Sequence, residues 1–455
     1  MKSFITLIAA VLLAATNASA VTFTNLYNFS LDAFNDGSPN VATNSDGISP
    51  DGFVIVGSVM YGTATTGGTY GDGTIFRANL DGTHFTNLFN FNNGPYNSVN
   101  STYPNSTGEY VNPGLLLISN TLYGTTFEGG LNFAGEVFKM NLDGSGFSVI
   151  HSFDFTDGQG PSSGLTLYSN VLYGTTSGGG PDGYGTVFAV NLNGLSFSDI
   201  YSFTNPTAPY GGVVAISNNF FGFATYGGAK LKGYVYRVGS SGYADLFDFD
   251  GTNGGLSYAT PVASGNTLFG ATFDGGTNGS GNIFRINTDG RAFTNLYSFS
   301  PADGANTDGS QPYDLGGMIL SGNTLLGTAS LHGSGGLGTV FSIKTDGTGF
   351  TVLHSFQFSD GSQPDALVLS GGTLYGLTDY GIQGISLGNG GIFALILQPT
   401  LNIAQSRTNI VLSWTGASYS LYSATTANGT YTKVTGATSP YTNSITGTQK
   451  YFKLE

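Results

Sequence analysis

Few residues in this sequence have the chemistry of an acid, a base or a nucleophile. The chain of 455 residues has no cysteine, four histidines and four glutamates. His332 stands alone in a predicted loop, and the glutamates are scattered at Glu109, Glu128, Glu136 and Glu455. Nucleophilic catalysis needs a base with a group that orients it, and glycoside hydrolysis needs two carboxyl groups. Neither arrangement is recognisable, so the sequence predicts no catalytic residue.

Aspartate and glycine recur together in several predicted loops, and the pair could serve a calcium ion or a turn. Ca²⁺ binds several oxygen ligands, and the densest candidate is the segment 248–253, with Asp248 and Asp250 as metal ligands. It lacks the distal glutamate of a helix-loop-helix calcium site. In the alternative, the aspartate caps its own backbone and the glycine supplies a positive φ. Calcium is the only cofactor considered. The pair also occurs at Asp36, Asp157, Asp308 and Asp360.

Aromatic side chains in other predicted loops could stack on the rings of sugars. We predict five of them as ligand-binding residues: Tyr70, Phe127, Tyr184, Tyr226 and Phe273.

Four short phrases recur seven times in the same order and specify the elements that carry these loops. Each has four to seven residues, is rich in β-branched and aromatic side chains, and is bounded by turn residues, which is typical of a strand. We name the strands A (an apolar run), B (variants of LYGTT), C (GTVF) and D (FTNLYSF). His151 and His354 occupy a tyrosine position of strand D, so we expect them to pack. The strand B phrase falls at Tyr61, Tyr123, Tyr173, Phe221, Phe269, Leu326 and Tyr375.

Four-stranded antiparallel units of about 50 residues are typical of β-propeller blades, with an open solenoid as the competing architecture. The order of the phrases favours the propeller. A strand D comes first, at residues 23–29, and the last repeat has strands A, B and C only. The first strand can therefore complete the last blade. We predict an all-β fold, a seven-bladed β-propeller closed by the N-terminal strand and followed by a small C-terminal β-sandwich-like module.

The connections between strands predict where a ligand would bind. The A–B and C–D turns are short and uniform, whereas the B–C and D–A connections are long and variable. Alternate connections of a meander lie at the same end of the sheet, and variable loops on a rigid scaffold often carry function. We call the end with the B–C and D–A connections the loop face and predict it to be the functional surface.

Composition and the two termini indicate where the protein works. Net charge is −14, without clusters of Lys or Arg, which disfavours nucleic acid as a partner. Residues 1–20 combine Lys2, an apolar run and an Ala18-Ser19-Ala20 cleavage site, which indicates a signal peptide. No later apolar run reaches the length of a membrane span. We therefore expect a monomeric protein that is secreted or held at the cell surface, with the propeller at 21–398.

Residues 400–455 lose the repeat and contain four strand-like runs rich in Thr and Ser. They resemble the small fibronectin-like β modules appended to secreted bacterial proteins. Trp414 is the single tryptophan of the chain, and we expect it in the core of this module.

The repeated pattern LYGTT…GG…GTVF…N-x-DG…SF…DG over residues 22–397 resembles the GloVer tandem-repeat proteins of bacteria, also named choice-of-anchor repeat proteins. The fourth repeat, with Phe221-Gly222-Phe223, departs most from the pattern. The resemblance implies export and a propeller-like fold. It implies no established activity and no catalytic residues.

Two functions from different classes follow as expectations. The first is a non-catalytic extracellular or surface binding protein that recognises a glycan or a protein through the loop face. The second is a polysaccharide hydrolase or lyase with loop aspartates and His332 in its site. A purely structural role in an envelope or matrix is the third possibility.

Overall fold

The structure is a computed structural model, and it describes residues 21–454 apart from several short segments. The predicted signal peptide, the Asp36 turn and the side chain of Trp414 therefore lie outside the described residues. The segments not described are 31–32, 35–41, 93–106, 302–305, 313–317, 382–388, 398–400, 407–408, 415–419, 427–428 and 445–449.

The described residues form β-strands and no helix, and the chain divides into two compact units. The larger unit, Phe23–Ser370 with Leu374–Ala394, is built from four-stranded antiparallel sheets like the blades of a propeller. This confirms the all-β prediction and the four-stranded meander. Among the described residues, no helix is long and apolar enough to cross a membrane.

The first three sheets follow the order of the chain. In sheets 2 and 3 strand A is divided into two short strands that pair with the same strand B. Sheet 1 consists of β4 (Ile48–Val56), β5 (Val59–Thr66), β6 (Thr74–Asn79) and β7 (Thr86–Asn90). Sheet 2 consists of β8 (Glu109–Val111), β9 (Leu116–Ile118), β10 (Thr121–Glu128), β11 (Glu136–Asn141) and β12 (Ser148–Ser152). Sheet 3 consists of β13 (Gln159–Pro161), β14 (Thr166–Tyr168), β15 (Val171–Gly178), β16 (Thr186–Asn191) and β17 (Phe197–Ser202).

Three further sheets have the same order. Sheet 4 consists of β18 (Val214–Ile216), β19 (Asn219–Ala224), β20 (Tyr234–Gly239) and β21 (Ala244–Asp248). Sheet 5 consists of β22 (Val262–Ser264), β23 (Thr267–Thr272), β24 (Asn282–Asn287) and β25 (Thr294–Ser298). Sheet 6 consists of β26 (Ile319–Ser321), β27 (Thr324–Ala329), β28 (Thr339–Lys344) and β29 (Thr351–Ser355).

One sheet joins the two ends of the repeat region, and we call it the terminal sheet. Its strands are β30 (Ser362–Ser370), β31 (Thr373–Tyr380), β32 (Gly391–Ile396) and β1 (Thr22–Asn28), and β1 is hydrogen-bonded to β32. The Phe29 amide also donates to the Gly390 carbonyl at 3.1 Å. The first strand of the described chain thus supplies strand D of the last repeat. A two-stranded hairpin of β2 (Ala33–Phe34) and β3 (Ala42–Thr43) follows β1.

A glycine of strand B and an aromatic ring of strand C pack against each other inside each sheet. Gly124 is the register partner of Phe138, and a Cβ at Gly124 would lie 2.5 Å from the Phe138 ring. The glycine is therefore needed because only a residue without a side chain leaves room for the ring. The same contact recurs for Gly62 with Phe76, Gly174 with Phe188, Gly222 with Tyr236, Gly327 with Phe341 and Gly376 with Phe393.

Neighbouring sheets are joined by stacked aromatic pairs between their D strands. His151 of sheet 2 stacks on Phe197 of sheet 3, with ring centroids 3.8 Å apart and an interplanar angle of 6°. His354 of sheet 6 stacks on Phe23 of the terminal sheet at 4.3 Å. This confirms that both histidines pack in the place of a tyrosine. The other stacked pairs are Tyr27–Phe85, Phe89–Phe147, Tyr201–Tyr243, Phe247–Phe293 and Tyr297–Phe350.

A backbone hydrogen bond between neighbouring sheets recurs at the start of strand A. The donor is a residue with positive φ, such as Gly160, whose amide reaches the Ala134 carbonyl of the preceding sheet at 2.9 Å. The Ser49 amide of sheet 1 donates in the same way to Asn389, next to the terminal sheet, at 3.2 Å. Sheet 1 therefore contacts the terminal sheet as it would a preceding neighbour. The remaining bonds join Tyr110 to Asp72, Leu256 to Lys232, Gln311 to Ser280 and Gln363 to Leu337.

The smaller unit holds the C-terminal strands, which form two three-stranded sheets. Leu412 and Leu421 are buried between them, with Ile410, Val434 and Phe452 packed around. The first sheet consists of β33 (Leu401–Ser406), β34 (Asn409–Trp414) and β37 (Tyr441–Ser444). The second consists of β35 (Leu421–Ala424), β36 (Thr432–Lys433) and β38 (Tyr451–Leu454).

Candidate functional site

The B–C loops are held by an oxygen atom from the end of strand D in the same sheet. In sheet 2 the Ser152 hydroxyl accepts the amide of Leu131 at 3.1 Å, and in sheet 4 the Asp248 carboxylate accepts the amide of Ala229 at 3.1 Å. Asp248 therefore occupies a repeated structural position, which Asn90, Ser298 and Ser355 fill in other sheets.

The second predicted calcium ligand, Asp250, is engaged in its own turn. Its Oδ1 accepts the amides of Thr252 and Asn253 and the Thr252 hydroxyl, at 2.8, 3.0 and 2.7 Å. These bonds, led by the one from the hydroxyl, lower the pKa of Asp250. Within the described ranges, no three acidic or histidine side chains are placed to hold one metal ion. The calcium site stays a prediction, and the contacts present are those of the turn motif.

In the other Asp-Gly turns, the carboxylate forms a hydrogen bond with a side chain of strand D, which the sequence did not indicate. The His151 Nε2 lies 2.8 Å from Asp157, and the His354 Nε2 lies 2.7 Å from Asp360. Tyr297 donates its hydroxyl proton to Asp308 at 2.5 Å. Burial lowers the pKa of His354 despite the opposite influence of Asp360. The aspartates thus fasten the D–A connections to the stacked rings.

In the connection that leads to sheet 1, the equivalent acceptor among the described residues is Asp46, followed by Gly47. The Tyr27 hydroxyl donates to Asp46 at 2.7 Å, and the Ser30 amide does so at 2.9 Å. The pair Asp46-Gly47 is visible in the sequence, but the long D–A connection between residues 30 and 48 contains both Asp-Gly pairs.

His332 occupies an unusual backbone position on the loop face. Its φ is 62°, and the same place in other repeats is the first glycine of a Gly-Gly pair, such as Gly129 and Gly179. A side chain is strained in this region. The His332 Nδ1 lies 2.6 Å from the hydroxyl of Ser310, which is fully buried.

The predicted ligand-binding aromatics differ in their surroundings. Tyr70, Tyr184 and Tyr226 expose 50, 37 and 41% of their surface. Phe127 is half-buried, and its ring lies against Gly160 of the next sheet, where an added Cβ would approach it to 3.0 Å. Phe273 is also half-buried and packs edge-on against Tyr258, with centroids 5.7 Å apart.

Two tyrosines that the sequence analysis missed connect Tyr226 and Phe273 into one aromatic row. Tyr210 and Tyr258 precede strand A in sheets 4 and 5, and their rings lie 5.6 Å apart. Burial and, to a smaller extent, the nearby Tyr226 hydroxyl raise the pKa of Tyr210. A Cβ at Gly211 would lie 2.2 Å from the Ala259 carbonyl, so the two chains approach closely here. We call Tyr210, Tyr226, Tyr258 and Phe273 the aromatic row.

Three carboxyl groups lie close together where the terminal sheet meets sheet 1. Asp51 and Asp365 share a hydrogen bond, and burial together with Asp365 raises the pKa of Asp51 well above its ordinary value. Burial and the Asp51 charge raise the pKa of Asp379 to about 7. Two carboxyl groups can share a hydrogen bond only when one is protonated. Asp51 lies in β4 of the first repeat and Asp365 in β30 of the last, so only the fold brings them together.

Sheet 2 holds three of the glutamates that the sequence scatters, and two of them are cross-strand partners. Glu109 is the register partner of Glu128, and Glu136 is the register partner of Thr126. Burial raises the pKa of Glu136 to about 8, and its Oε2 has no hydrogen-bond partner. Strand pairing, which joins residues distant in sequence, is what the sequence analysis could not supply.

Antiparallel four-stranded sheets with repeated stacking contacts define a β-propeller-like repeat protein. A family model described as Gloeobacter/Verrucomicrobia repeat matches residues 27–208 and 92–260, just over half of the chain. The chain belongs to this family, as the resemblance indicated.

Curated proteins provide no match to this sequence. Among solved structures, the chain is similar to the extracellular domain of a hybrid two-component system from B. thetaiotaomicron, at 10% identity and a TM-score of 0.46. That match covers 85% of this chain and 44% of the other. The tricorn protease is 12% identical with a TM-score of 0.40, over 81% of this chain and a third of that one. A nidogen/laminin complex chain is 13% identical with a TM-score of 0.35, over 62% of this chain and 93% of that one.

Proposed function

We propose that this chain is an exported, non-catalytic binding protein whose loop face recognises a glycan. Its repeat sheets are the blades of a seven-bladed β-propeller, closed by β1, which presents the B–C and D–A connections at one end. We expect it to act as a monomer in the extracellular space or at the cell surface, with a protein ligand as the other class of partner.

The support for a closed ring is the cyclic order of the contacts between sheets. Stacked pairs run from sheet 1 through sheet 6 to the terminal sheet, and Tyr27–Phe85 then returns to sheet 1. One apolar cluster combines Phe29, Ala366 and Ile392 of the terminal repeat with Phe53 and Phe76 of sheet 1. Full closure also leaves no long sheet edge open to pairing.

The observation that carries the binding function is the position of exposed apolar side chains. Large exposed apolar patches mark interaction sites, and most of the exposed large side chains in the described repeats lie at the loop face. The opposite end is closed by Asp-Gly and Asn-Gly turns. Exposed residues at the loop face are Tyr70, Tyr110, Leu131, Phe155, Tyr184, Tyr226, Leu231, Phe358 and Tyr380.

The test is a screen of the mature chain against immobilised polysaccharides and a protein panel. The variant Tyr70→Ala/Tyr184→Ala/Tyr226→Ala should lose binding. The control Val149→Ala/Leu167→Ala/Leu195→Ala changes exposed side chains away from the loop face and should keep it. A blank glycan screen contradicts the glycan proposal, and equal losses in both variants contradict the loop face.

A second candidate function, polysaccharide hydrolysis or elimination, is favoured by the position of His332. A strained backbone at a half-buried imidazole, held by Ser310, is a feature that functional sites can retain. Activity on a polysaccharide panel that disappears in His332→Ala and persists in His84→Ala would support it. Cleavage that is unchanged in His332→Ala would exclude His332 from the reaction.

A further inference from the structure

The aromatic row is the most extended contact of loop-face aromatics among the described residues. Its ring contacts run from Tyr210 through Tyr258 to Phe273, with centroids 5.6 and 5.7 Å apart, and Tyr226 lies near Tyr210. Tyr70, Tyr184 and Tyr226 make no such ring contact within the described residues. The row extends over sheets 4 and 5 and is therefore held by two neighbouring repeats.

The repeat pattern shows that the row is a local specialisation. The place of Tyr210 and Tyr258 is taken by Pro50, Asn112 and Ser162 in the first three repeats and by Pro364 in the last. The place of Phe273 is taken by small polar residues or Asp379 in all other sheets except sheet 2. Packing common to all blades therefore does not require aromatic residues at these positions.

We propose that the aromatic row is the glycan-binding subsite of the loop face and that its ligand is a neutral oligosaccharide. This inference rests on the proposed glycan function. The rings offer apolar faces for the C–H groups of pyranose rings, and the tyrosines place polar hydroxyl groups beside them.

Charge favours a neutral ligand over an acidic polysaccharide. The chain has a net charge of −14, which repels polyanions. Lys232, the cation next to the row in sheet 4, has its amino group 2.8 Å from the Asp274 carboxylate. Asp274 directly follows Phe273, so an acidic group and its partner flank the row.

The experiment measures affinity for neutral gluco-, xylo- and manno-hexaoses by calorimetric titration of the full mature chain. Tyr258→Leu and Tyr210→Leu replace a ring by an apolar side chain that preserves packing, and each should weaken binding about tenfold. Tyr258→Phe keeps the ring and should stay within about threefold of the parent. Val149→Ala and Leu195→Ala change exposed side chains away from the loop face and are the controls, with affinities unchanged. Tyr70→Leu and Tyr184→Leu test whether other aromatics of the loop face contribute.

The outcomes separate this inference from the proposed function. Glycan binding that is lost in Tyr70→Leu or Tyr184→Leu and kept in both row variants overturns the row while the loop face stands. Binding only to acidic oligosaccharides overturns the neutral ligand. No glycan binding, or binding to proteins alone, overturns both proposals. Melting temperatures of all variants identify any loss that is due to unfolding.

Discussion

The contact between the terminal sheet and sheet 1, which we call the terminal junction, repeats the contacts between other neighbouring sheets but differs in its polar groups. Both kinds of junction have a stacked ring pair and a backbone hydrogen bond before strand A. At the internal junctions, Thr125 and Thr175 of strand B donate hydroxyl protons to carbonyls of the next sheet, at 3.0 and 2.9 Å. Leu377 replaces this threonine in the terminal sheet, as Phe223 and Ala271 do in sheets 4 and 5.

Three carboxyl groups stand at the terminal junction. Asp51, Asp365 and Asp379 come from the first and last repeats. The shared apolar contacts therefore explain how the sheets join, while the polar contacts distinguish one junction from another. From this difference we expect the stability of the terminal junction to depend on the protonation of Asp51 and Asp379.

The largest expected effect is the loss of a buried strand D phenylalanine. Phe29→Ala at the terminal junction and Phe153→Ala at an internal junction should each lower the free energy of unfolding by about 3–5 kcal/mol, because each leaves a cavity. Both rings are buried, with 5 and 0% exposure. Urea denaturation measures the two values. A cost below about 1 kcal/mol for Phe29→Ala alone would show that the terminal strand is not packed like the others.

The next effect is a pH dependence that belongs to the terminal junction. Burial raises the pKa of Asp379 to about 7 in the folded chain, so its contribution is fully present below about pH 4 and is lost as the pH rises through about 7. The pKa of Asp51 is also raised, so its contribution has the same sign. Each released proton costs about 1.4 kcal/mol per pH unit in this window. The melting temperature should therefore fall with rising pH, and Asp51→Asn should flatten this part of the curve.

Burial also raises the pKa of Glu136 in sheet 2 to about 8, so its contribution to stability is likewise lost as the pH rises. The control is Glu136→Gln, which removes the pH dependence due to Glu136 and keeps the pH dependence due to the terminal junction. An Asp51→Asn curve that runs parallel to the parent curve would exclude the carboxyl pair as its source.

A smaller effect should come from the bonds between strand D and the Asp-Gly turns. Tyr27→Phe and Tyr297→Phe remove hydrogen bonds to Asp46 and Asp308, and each should cost about 1–3 kcal/mol. Thermal unfolding of both variants compares the terminal junction with an internal one. Phe247→Tyr is the matched control, since a phenylalanine already stacks on Phe293 at this strand D position without a hydroxyl group. If Tyr27→Phe leaves the stability unchanged while Tyr297→Phe lowers it, the hydrogen bond to aspartate stabilises the internal junction and not the terminal one.

The smallest expected effect is a gain in stability inside sheet 4. The Tyr236 hydroxyl is buried without a hydrogen-bond partner, and other repeats have phenylalanine at this position. Tyr236→Phe should therefore stabilise the chain by about 1 kcal/mol. A measured loss of stability would indicate that the hydroxyl has a partner in solution.

The sequence predicted the sheets well because their determinants are local and repeated. Alternating aromatic phrases, tight Asp-Gly turns and the displaced first strand sufficed for the strands and for the place of β1. The Gly124–Phe138 contact depends on strand pairing, because the ring that fills the space beside the glycine lies on another strand.

The candidate site was harder to predict because it depends on contacts between repeats. Tyr226 and Phe273 were recognised as loop aromatics, but Tyr210 and Tyr258 join them only when sheets 4 and 5 pack side by side. Asp51 and Asp365 lie far apart in the sequence and become neighbours only at the terminal junction. Asp248 was predicted as a calcium ligand, and its bond to Ala229 follows from the fold of the B–C loop.

Amide hydrogen exchange across the terminal junction tests the closed ring most directly. The Phe29 amide donates to Gly390 within the terminal sheet, as the Phe153 amide donates to Gly135 within sheet 2. The Ser49 amide donates to Asn389 across the terminal junction, as the Gly160 amide donates to Ala134 across an internal junction. Peptides that report these four amides should show equal protection, far above that of the exposed Asp182 loop, at pH 5. Exchange of Phe29 and Ser49 as fast as the Asp182 loop, with Phe153 and Gly160 protected, would contradict closure by the first strand.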